Sequence, residues 1–362
     1  MARYLRTDGV LRLPDGRTVR REQIDRNPAL LAALAGKRLR CCCTPTGVEM
    51  LVRHRQGRHF LANLPGRTHH HAAACPSFAP DPLIDPRRHY SAVALARSGD
   101  SLHLVVSPEP LGQPPFAHLS PHAALELLWD AANLTLWSPR MRGKRSYFTV
   151  RTALLRAAER LMIHRAPLAG ALFFPDPAQG VPTLAQHFIA GRVIGVYPSA
   201  HGAGFALAHS QPGHLYWLAA RQWTAAIAVV FGPLAAPMLP PDLEVWMLGR
   251  FALSGAGHAT LQYPGFITVT PEHRLPADDP AQAAVLRGLV EQDRRFRRCA
   301  LLDARADPAI PFVVLLDTGV PCYVFTPDST RVPPPAPRPD PSPHFMASEF
   351  APSPSSARSA PR

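Results

Sequence analysis

The N-terminal part of the chain contains two short runs, rich in apolar residues, of the length that β-strands have. Such runs lie at 48–52 and 59–64 and are separated by a turn that contains Gly57, so they predict a β-hairpin. Further apolar runs at 90–95 and 102–106 predict a second hairpin.

The middle of the chain changes to the longer period of amphipathic helices. Ser120 is a suitable N-cap and Pro121 suits the first helical position, so a helix is predicted over 121–130. A second helix is predicted over 147–164, where apolar residues recur every three or four positions.

The C-terminal half contains short strands that are punctuated by turns and separated by helices. The predicted strands are 192–197, 204–208, 244–250, 259–269, 312–316 and 322–325, and the predicted helices are 219–230 and 280–292. Strands and helices segregate along the chain instead of alternating strictly, which favours the α+β fold class.

These patterns predict four parts. Residues 1–85 form a small zinc-binding β module, residues 86–170 a hairpin with a basic helical segment, and residues 171–328 an α+β domain with an antiparallel or mixed sheet. Residues 329–362 are rich in proline and serine and are predicted to be a disordered tail, because they cannot bury enough apolar surface to order themselves.

The charge balance indicates the class of partner. The chain of 362 residues holds 39 basic against 26 acidic residues, a net charge of +13, and its isoelectric point is near 10.2. Such a surplus is typical of proteins that bind DNA or RNA. Lys37 and Lys144 are the only lysines, so a genomic bias toward arginine codons is an alternative explanation.

No targeting or membrane segment is predicted. Residues 1–20 are polar and charged, unlike a secretory signal, and the most apolar stretch, 225–239, contains Gly232 and Pro233. It is also shorter than the roughly 20 residues that a membrane span needs. We therefore expect a cytoplasmic protein with no membrane partner, in which reduced cysteines favour metal binding over disulfides.

Two spaced pairs of thiols and imidazoles are the sharpest chemical signal. Cys41 and Cys43 lie two residues apart, and His71 and Cys75 lie four apart, so each pair can present its ligands to one side. The predicted hairpin brings the pairs together as a Cys₃His set, which binds structural zinc tetrahedrally. Four protein ligands close such a site and argue against catalytic zinc.

The neighbours of these residues leave the ligand set open. Cys42 points away from the ligands if its strand is regular, whereas His69 or His70 can take the place of His71. A cluster of buried or reactive thiols beside a polar, histidine-rich loop is the alternative to a metal site.

A basic turn precedes the helix predicted at 147–164. It carries Arg140, Arg142, Lys144 and Arg145, and the start of a helix favours phosphate through its free N–H groups and its dipole. We expect these four side chains to contact a nucleic-acid backbone. A solvated turn between two helices is the alternative.

Acidic residues near the C-terminal strands suggest a second kind of metal site. They are Glu272, Asp278, Asp279, Asp303 and Asp317. Asp317 follows an apolar strand, where metal-dependent nucleases place an acid that holds Mg²⁺ or Mn²⁺. The next strand carries no acid followed by a lysine, so ordinary turn-capping roles are the alternative.

Three stretches resemble the bacterial family called domain of unknown function 1173. The first joins the Cys-x-Cys of Cys41 and Cys43 to the His-x-x-x-Cys-Pro-Ser at 71–77. The second runs from Leu-Trp-Asp-Ala-Ala-Asn-Leu at 128–134 through Trp-Ser-Pro to Gly-Lys-Arg-Ser at 143–146. The third is Arg-Arg-Phe at 294–296 before a strand that ends in Leu-Leu-Asp-Thr at 315–318.

The resemblance implies a cytosolic accessory protein of plasmids and integrated mobile elements. Its C-terminal helix and strand are similar to the restriction-endonuclease-like core, but the missing acid and lysine pair implies a degenerate one. We therefore predict a nucleic-acid-binding protein with a structural zinc site. The alternatives are a metal-dependent nuclease that uses Asp317, or an interaction scaffold that contacts a protein partner through the C-terminal tail.

Overall fold

The computed structural model describes residues 9–55, 57–64, 67–72, 75, 77–78, 84–98, 101–176, 187–253, 259–304, 307, 310–317 and 322–325. These residues form nineteen strands and seven α-helices in a mixed α+β arrangement, which confirms the predicted class. The tail predicted at 329–362 lies outside the described residues.

The N-terminal module is an antiparallel sheet of five strands in the order β2-β1-β3-β4-β5. The strands are β1 (Val10–Arg12), β2 (Thr18–Arg20), β3 (Arg38–Cys41), β4 (Val48–Arg55) and β5 (Arg58–Asn63). Two short helices, α1 (Arg21–Asp25) and α2 (Pro28–Ala33), join β2 to β3. The predicted hairpin is present as β4 and β5, with Val52 opposite Leu61.

Alternation along these strands gives the sheet one buried and one exposed face. Leu39, Met50 and Val52 are buried and share a core with Ile24 and Leu31 of the two helices. The intervening residues of the same strands point to the opposite face, as the pleat of a strand requires. The module therefore has a small hydrophobic core of its own.

A second sheet corrects two of the sequence predictions. Its strands are β6 (Leu95–Ser98), β7 (Ser101–Leu104), β9 (Leu161–Ile163) and β10 (Ala166–Pro167). The strand predicted at 90–95 is wrong, because residues 92–94 form a turn and the strand begins at Leu95. The helix predicted to reach residue 164 is too long, because β9 leaves the helix to pair in parallel with β7.

Three helices share a core with the second sheet. They are α3 (Pro121–Ala131), α4 (Tyr147–Ala158) and α5 (Leu168–Ala171). Ser120 caps α3 as predicted, since its hydroxyl accepts a hydrogen bond from the N–H of Ala123 at 3.1 Å. Helix α3 is buried on nearly every side, and Trp129 packs edge-on against Trp246 at 5.3 Å between ring centroids.

A closed barrel forms the centre of the C-terminal half. The strands of this third sheet are β11 (Leu172–Phe173), β12 (Phe188–Ser199), β13 (Gly202–Leu207), β14 (Tyr216–Ala219), β15 (Glu244–Leu253) and β16 (Ala259–Val269). The order is β11-β12-β13-β14-β16-β15, and β12 also pairs with β15, which closes five of the strands on themselves. The pairs are antiparallel except for β11 with β12 and β14 with β16. The predicted pairing of 192–197 with 204–208 is present within β12 and β13.

Helix α6 (Ala225–Phe231) closes one end of the barrel. Its Ile227 and Phe231 are buried among Phe205 and Phe266 of the barrel interior. The helix predicted at 219–230 begins later than expected, because the first of those residues belongs to β14 and a short 3₁₀ turn follows it.

The last sheet packs beside helix α7 (Pro280–Glu291). Its strands are β8 (Leu136–Trp137), β17 (Phe296–Arg298), β18 (Val313–Leu315) and β19 (Cys322–Val324), in the antiparallel order β19-β18-β17-β8. The predicted C-terminal strands thus pair with each other and with a strand from the middle of the chain. The segments predicted as separate parts at 86–170 and 171–328 contribute to one core, and the division between them stays a prediction.

A buried ion pair joins helix α3 to this last sheet. The Arg298 guanidinium donates to the Glu126 carboxylate at 2.6 Å, and both side chains are at most 2 % exposed. The second Glu126 oxygen accepts the N–H of Leu302 at 2.5 Å. Burial lowers the pKa of Arg298, but the carboxylates of Glu126 and Asp278 outweigh that effect, so the guanidinium stays charged.

We expect Arg298→Met to lower the free energy of unfolding by about 3–5 kcal/mol, because it leaves the Glu126 carboxylate buried without its cation. Urea denaturation followed by circular dichroism measures this loss. Arg297→Met is the matched control, since Arg297 is the partly exposed neighbour on the other face of β17. Equal losses in the two variants would contradict a special role for the ion pair.

Candidate metal centre

The first two candidate ligands lie where β3 turns into β4. Cys41 is the last residue of β3, and Cys43 lies in the turn that follows. Gly47 completes this turn with φ of +69°, and its N–H donates to the carbonyl of Thr44 at 3.0 Å. A side chain at Gly47 would meet the aliphatic part of Arg40, so the tight return that positions the two sulfurs depends on glycine.

The other two ligands come from the segment that follows the hairpin. A 3₁₀ turn at Thr68–His70 leads directly into His71. The N–H of Cys75 donates to the carbonyl of Ala72 at 2.8 Å, which turns the chain back so that Cys75 lies on the same side as His71. The hairpin of β4 and β5 therefore separates the two pairs in sequence and returns the second to the first.

The four side chains form a cluster with the dimensions of a metal site. The Cys43 sulfur lies 3.3 Å and the Cys75 sulfur 3.5 Å from Nδ1 of His71, and the sulfurs of Cys41 and Cys75 are 3.6 Å apart. All four ligand atoms lie within 4.8 Å of one another. A tetrahedron with Zn–S of about 2.3 Å and Zn–N of about 2.0 Å has edges of about 3.5–3.8 Å. The cluster can therefore hold a metal ion.

Burial and backbone donors suit this cluster to thiolate ligands. All four side chains are buried and belong to the core of the module or line it. The N–H groups of Ala72 and Ser77 point at the sulfurs of Cys43 and Cys75, each at 3.4 Å. Such donors stabilise negative sulfur and orient it. A disulfide is excluded between Cys41 and Cys75, because a bonded pair lies about 2.05 Å apart.

Without a metal the cluster cannot carry three negative charges. Hydrogen bonds to Cys43 and Cys75, together with burial, raise the pKa of Cys41 well above its usual value. The pKa of Cys75 is lowered, because its sulfur accepts hydrogen bonds from Cys41 and Cys43. A negative charge on one sulfur raises the cost of a second on its neighbours, so metal binding is accompanied by the release of thiol protons.

The structure selects among the alternative ligands left open by the sequence. Cys42 is half-buried, and its sulfur points to the carbonyl of Arg40 at 3.8 Å, away from the cluster. His69 and His70 pack against each other with ring centroids 4.4 Å apart and do not belong to the cluster. The predicted quartet is the set that the fold brings together.

The basic turn has a different structure from the one expected. Arg145 is 6 % exposed and donates to the carbonyls of Leu134 at 2.7 Å and His273 at 3.1 Å, so it is unavailable to a phosphate. Arg142 pairs with Asp293 at 2.9 Å. Arg140 and Lys144 are exposed. The prediction is therefore wrong for Arg145, whose buried guanidinium instead ties the turn to its surroundings.

The predicted carboxylates do not assemble into a metal site. Arg294 holds Asp317 with two hydrogen bonds of 2.6 and 2.8 Å, and these keep the pKa of Asp317 below its usual value. Asp279 caps helix α7, and Asp303 accepts from Tyr90 at 2.7 Å. Glu272 is exposed and Asp278 pairs with Arg298. In the part of the chain that the structure covers, the Cys/His quartet is the one group of three or more metal-ligating side chains.

The outer face of the module sheet is a feature that the sequence analysis missed. It presents exposed arginines from all five strands, namely Arg12, Arg20, Arg38, Arg40, Arg53 and Arg58. Glu49 is the acid on the same face of β4, and it pairs with Arg38 at 3.1 Å. The sequence could have indicated this face, because Arg38 and Arg40 lie two residues apart on β3 and residues two apart lie on one side of a strand.

Comparison with known families gives one match. A family model described as "Protein of unknown function (DUF1173)" matches residues 15–180, which include the whole Cys/His quartet. Neither the curated proteins nor the solved structures yield a match. Among the described helices, none is long and apolar enough to cross a membrane.

We expect the metal-free protein to bind one Co²⁺ per chain and to develop the visible absorption of tetrahedral cobalt with sulfur ligands. Cys43→Ser removes one of the four ligands and should weaken binding at least about tenfold. Cys42→Ser is the matched control, because it changes the adjacent thiol outside the cluster. Equal affinity of the two variants for Co²⁺ would contradict the assigned ligand set.

Proposed function

Because residues 15–180 belong to the DUF1173 family, whose description gives no activity, we propose a function from the geometry of the module itself. The protein binds nucleic acid, and a structural zinc ion holds the module that presents much of its positive charge. The observation that carries this proposal is the buried Cys₃His cluster lying beneath a sheet whose outer face is rich in arginine.

Zinc is the metal that suits the donor set best. Three sulfurs and one imidazole nitrogen at the corners of a small tetrahedron match the preference of zinc, whereas magnesium and calcium require oxygen ligands. The four protein ligands fill the tetrahedron and leave no position for water or substrate. The ion is therefore structural, and it compensates for the small hydrophobic core of the module.

Charge supports nucleic acid as the partner. Residues 1–85 hold twice as many arginines and lysines as aspartates and glutamates. Six exposed arginines on one face of the sheet favour a polyanion over a neutral partner. Arg140, Arg142 and Lys144 are a second candidate surface for the same backbone contacts. The role in a mobile genetic element that the resemblance implies is part of this proposal.

Purified protein should contain about one zinc ion per chain by elemental analysis. Removing it with a chelator should lower the melting temperature by several degrees, since the metal holds together segments that are distant in sequence. Cys75→Ser should abolish the metal content, while Cys42→Ser should keep it. Full zinc occupancy in a Cys41/Cys43/Cys75→Ser triple variant would contradict the assignment.

The logarithm of the affinity for labelled DNA and RNA, measured by fluorescence anisotropy, should fall linearly with the logarithm of the salt concentration. Replacing Arg12, Arg40 and Arg53 together by alanine should reduce the slope by about 2–3 if each contacts one phosphate. The charge-matched control replaces the exposed residues Arg156, Arg165 and Arg250.

The outcomes of this experiment separate the two parts of the proposal. No binding by the wild-type chain at low salt would overturn nucleic-acid binding altogether. Binding that is unaffected by the Arg12/Arg40/Arg53 variant would remove the module face as the surface. A triple variant of Arg140, Arg142 and Lys144 then measures the contribution of the basic turn.

A further inference from the structure

The barrel has the strand connectivity of the oligonucleotide- and oligosaccharide-binding fold. Counted from β12 as strand 1, the closed order is 1-2-3-5-4-1, with strands 3 and 5 parallel. Helix α6 lies between strands 3 and 4 and plugs one end, with Phe231 among the interior side chains. Barrels of this fold bind their ligands across strands 2 and 3 and the neighbouring loops.

One side of this barrel is covered and the other is open. Outward-facing residues such as Ala190, Trp246 and Ile267 are buried against α3 and α4 in the main core. Tyr197 in the C-terminal half of β12, Ala206 of β13 and Trp217 of β14 do not belong to that core. This open side includes strands 2 and 3, which the fold uses for ligands.

An aromatic row crosses the open side. Tyr197 of β12 pairs with Gly204 of β13, which pairs with Trp217 of β14, so the three residues lie side by side on the outer surface. Their neighbours Phe205, Tyr216 and Leu218 point into the barrel. Tyr197 is 52 % exposed, and Trp217 is partly exposed.

Glycines leave room for both rings close to the sheet. A Cβ at Gly204 would be 3.3 Å from the Trp217 ring, and one at Gly195 would be 2.9 Å from the Tyr197 ring. Since neighbouring strands are about 4.8 Å apart, the two aromatic residues start roughly 10 Å apart. The two side chains therefore start from separate points of the sheet. Leu215 shares the space over Gly204 with the Trp217 ring, since its Cδ1 would be 3.1 Å from the same Cβ.

A cation lies beyond this row, toward the turn between β12 and β13. The N–H of Ala220 donates to the carbonyl of His201 at 2.9 Å, which brings the turn between β12 and β13 beside the end of β14. His201 and Arg221 are both exposed there. Exposed rings beside basic groups suit bases and phosphates better than a neutral sugar chain.

We propose that the open side of this barrel binds single-stranded nucleic acid, with one base stacked on Tyr197 and another on Trp217 and with Arg221 facing the backbone. The inference rests on the proposed nucleic-acid binding. It adds that the open side of the barrel is a binding surface and that the nucleic acid bound there is single-stranded. Stacking needs unpaired bases, because the faces of paired bases are covered within a duplex.

The test measures anisotropy of labelled oligo(dT) and of a duplex with the same label, using the full-length protein. We expect the wild type to prefer the single strand. Tyr197→Ala with Trp217→Ala should lower its affinity for oligo(dT) by at least about tenfold per ring, with the salt slope nearly unchanged because neutral rings are removed. Tyr197→Phe and Trp217→Phe, which keep a flat ring, should retain most of the affinity.

Tyr263→Ala is the matched control, since Tyr263 is an aromatic residue of the same barrel and is 48 % exposed. Quenching of tryptophan fluorescence by oligo(dT), lost in Trp217→Phe, reports stacking directly. Binding by the double alanine variant equal to that of the wild type would overturn the inference and leave the proposed function intact. An absence of any oligonucleotide binding, with or without binding of a soluble glucan, would overturn both this inference and the proposed nucleic-acid binding.

Discussion

The ion pair of Glu126 with Arg298 is the constraint on which the larger part of the structure depends. It lies in the interior, where a charge without a partner costs several kcal/mol, so helix α3 and strand β17 cannot separate independently. Helix α3 also packs along the barrel through Trp129 and Trp246. Helix α3 therefore links the last sheet to the barrel, and it covers the side of the barrel that carries Trp246.

The Cys/His cluster has the corresponding role in the N-terminal module. The module core is limited to short strands and two short helices, and the cluster joins the end of β3 to a segment beyond the next hairpin. A metal at this point links the segments that the small core would hold only weakly. The core of the module lies on the inner face of the sheet, and the exposed arginines lie on the outer face.

The parts of the fold that were predicted from the sequence are those that depend on local patterns. Two short apolar runs joined by a turn with Gly57 specified the hairpin of β4 and β5, and Ser120 with Pro121 specified the start of α3. The predictions failed where a distant partner decides the structure. Residues 161–163 continue a helical pattern but form a strand, because β7 offers them a free edge far away in sequence. Arg145 belongs to a charged run in the sequence. In the fold its guanidinium is buried and donates a hydrogen bond to the carbonyl of His273, which is distant in sequence.

The sequence by itself determined the chemistry and the local periods of this protein: the four candidate metal ligands, the excess of arginine and most of the helices and strands. These follow from residue type and short spacing, which do not depend on the rest of the fold. Only the tertiary structure decided which side chains meet and which face solvent. Closure of β12 onto β15, the aromatic row of Tyr197 and Trp217 and the burial of Arg298 all result from pairing between distant segments, and no short window of sequence contains that information.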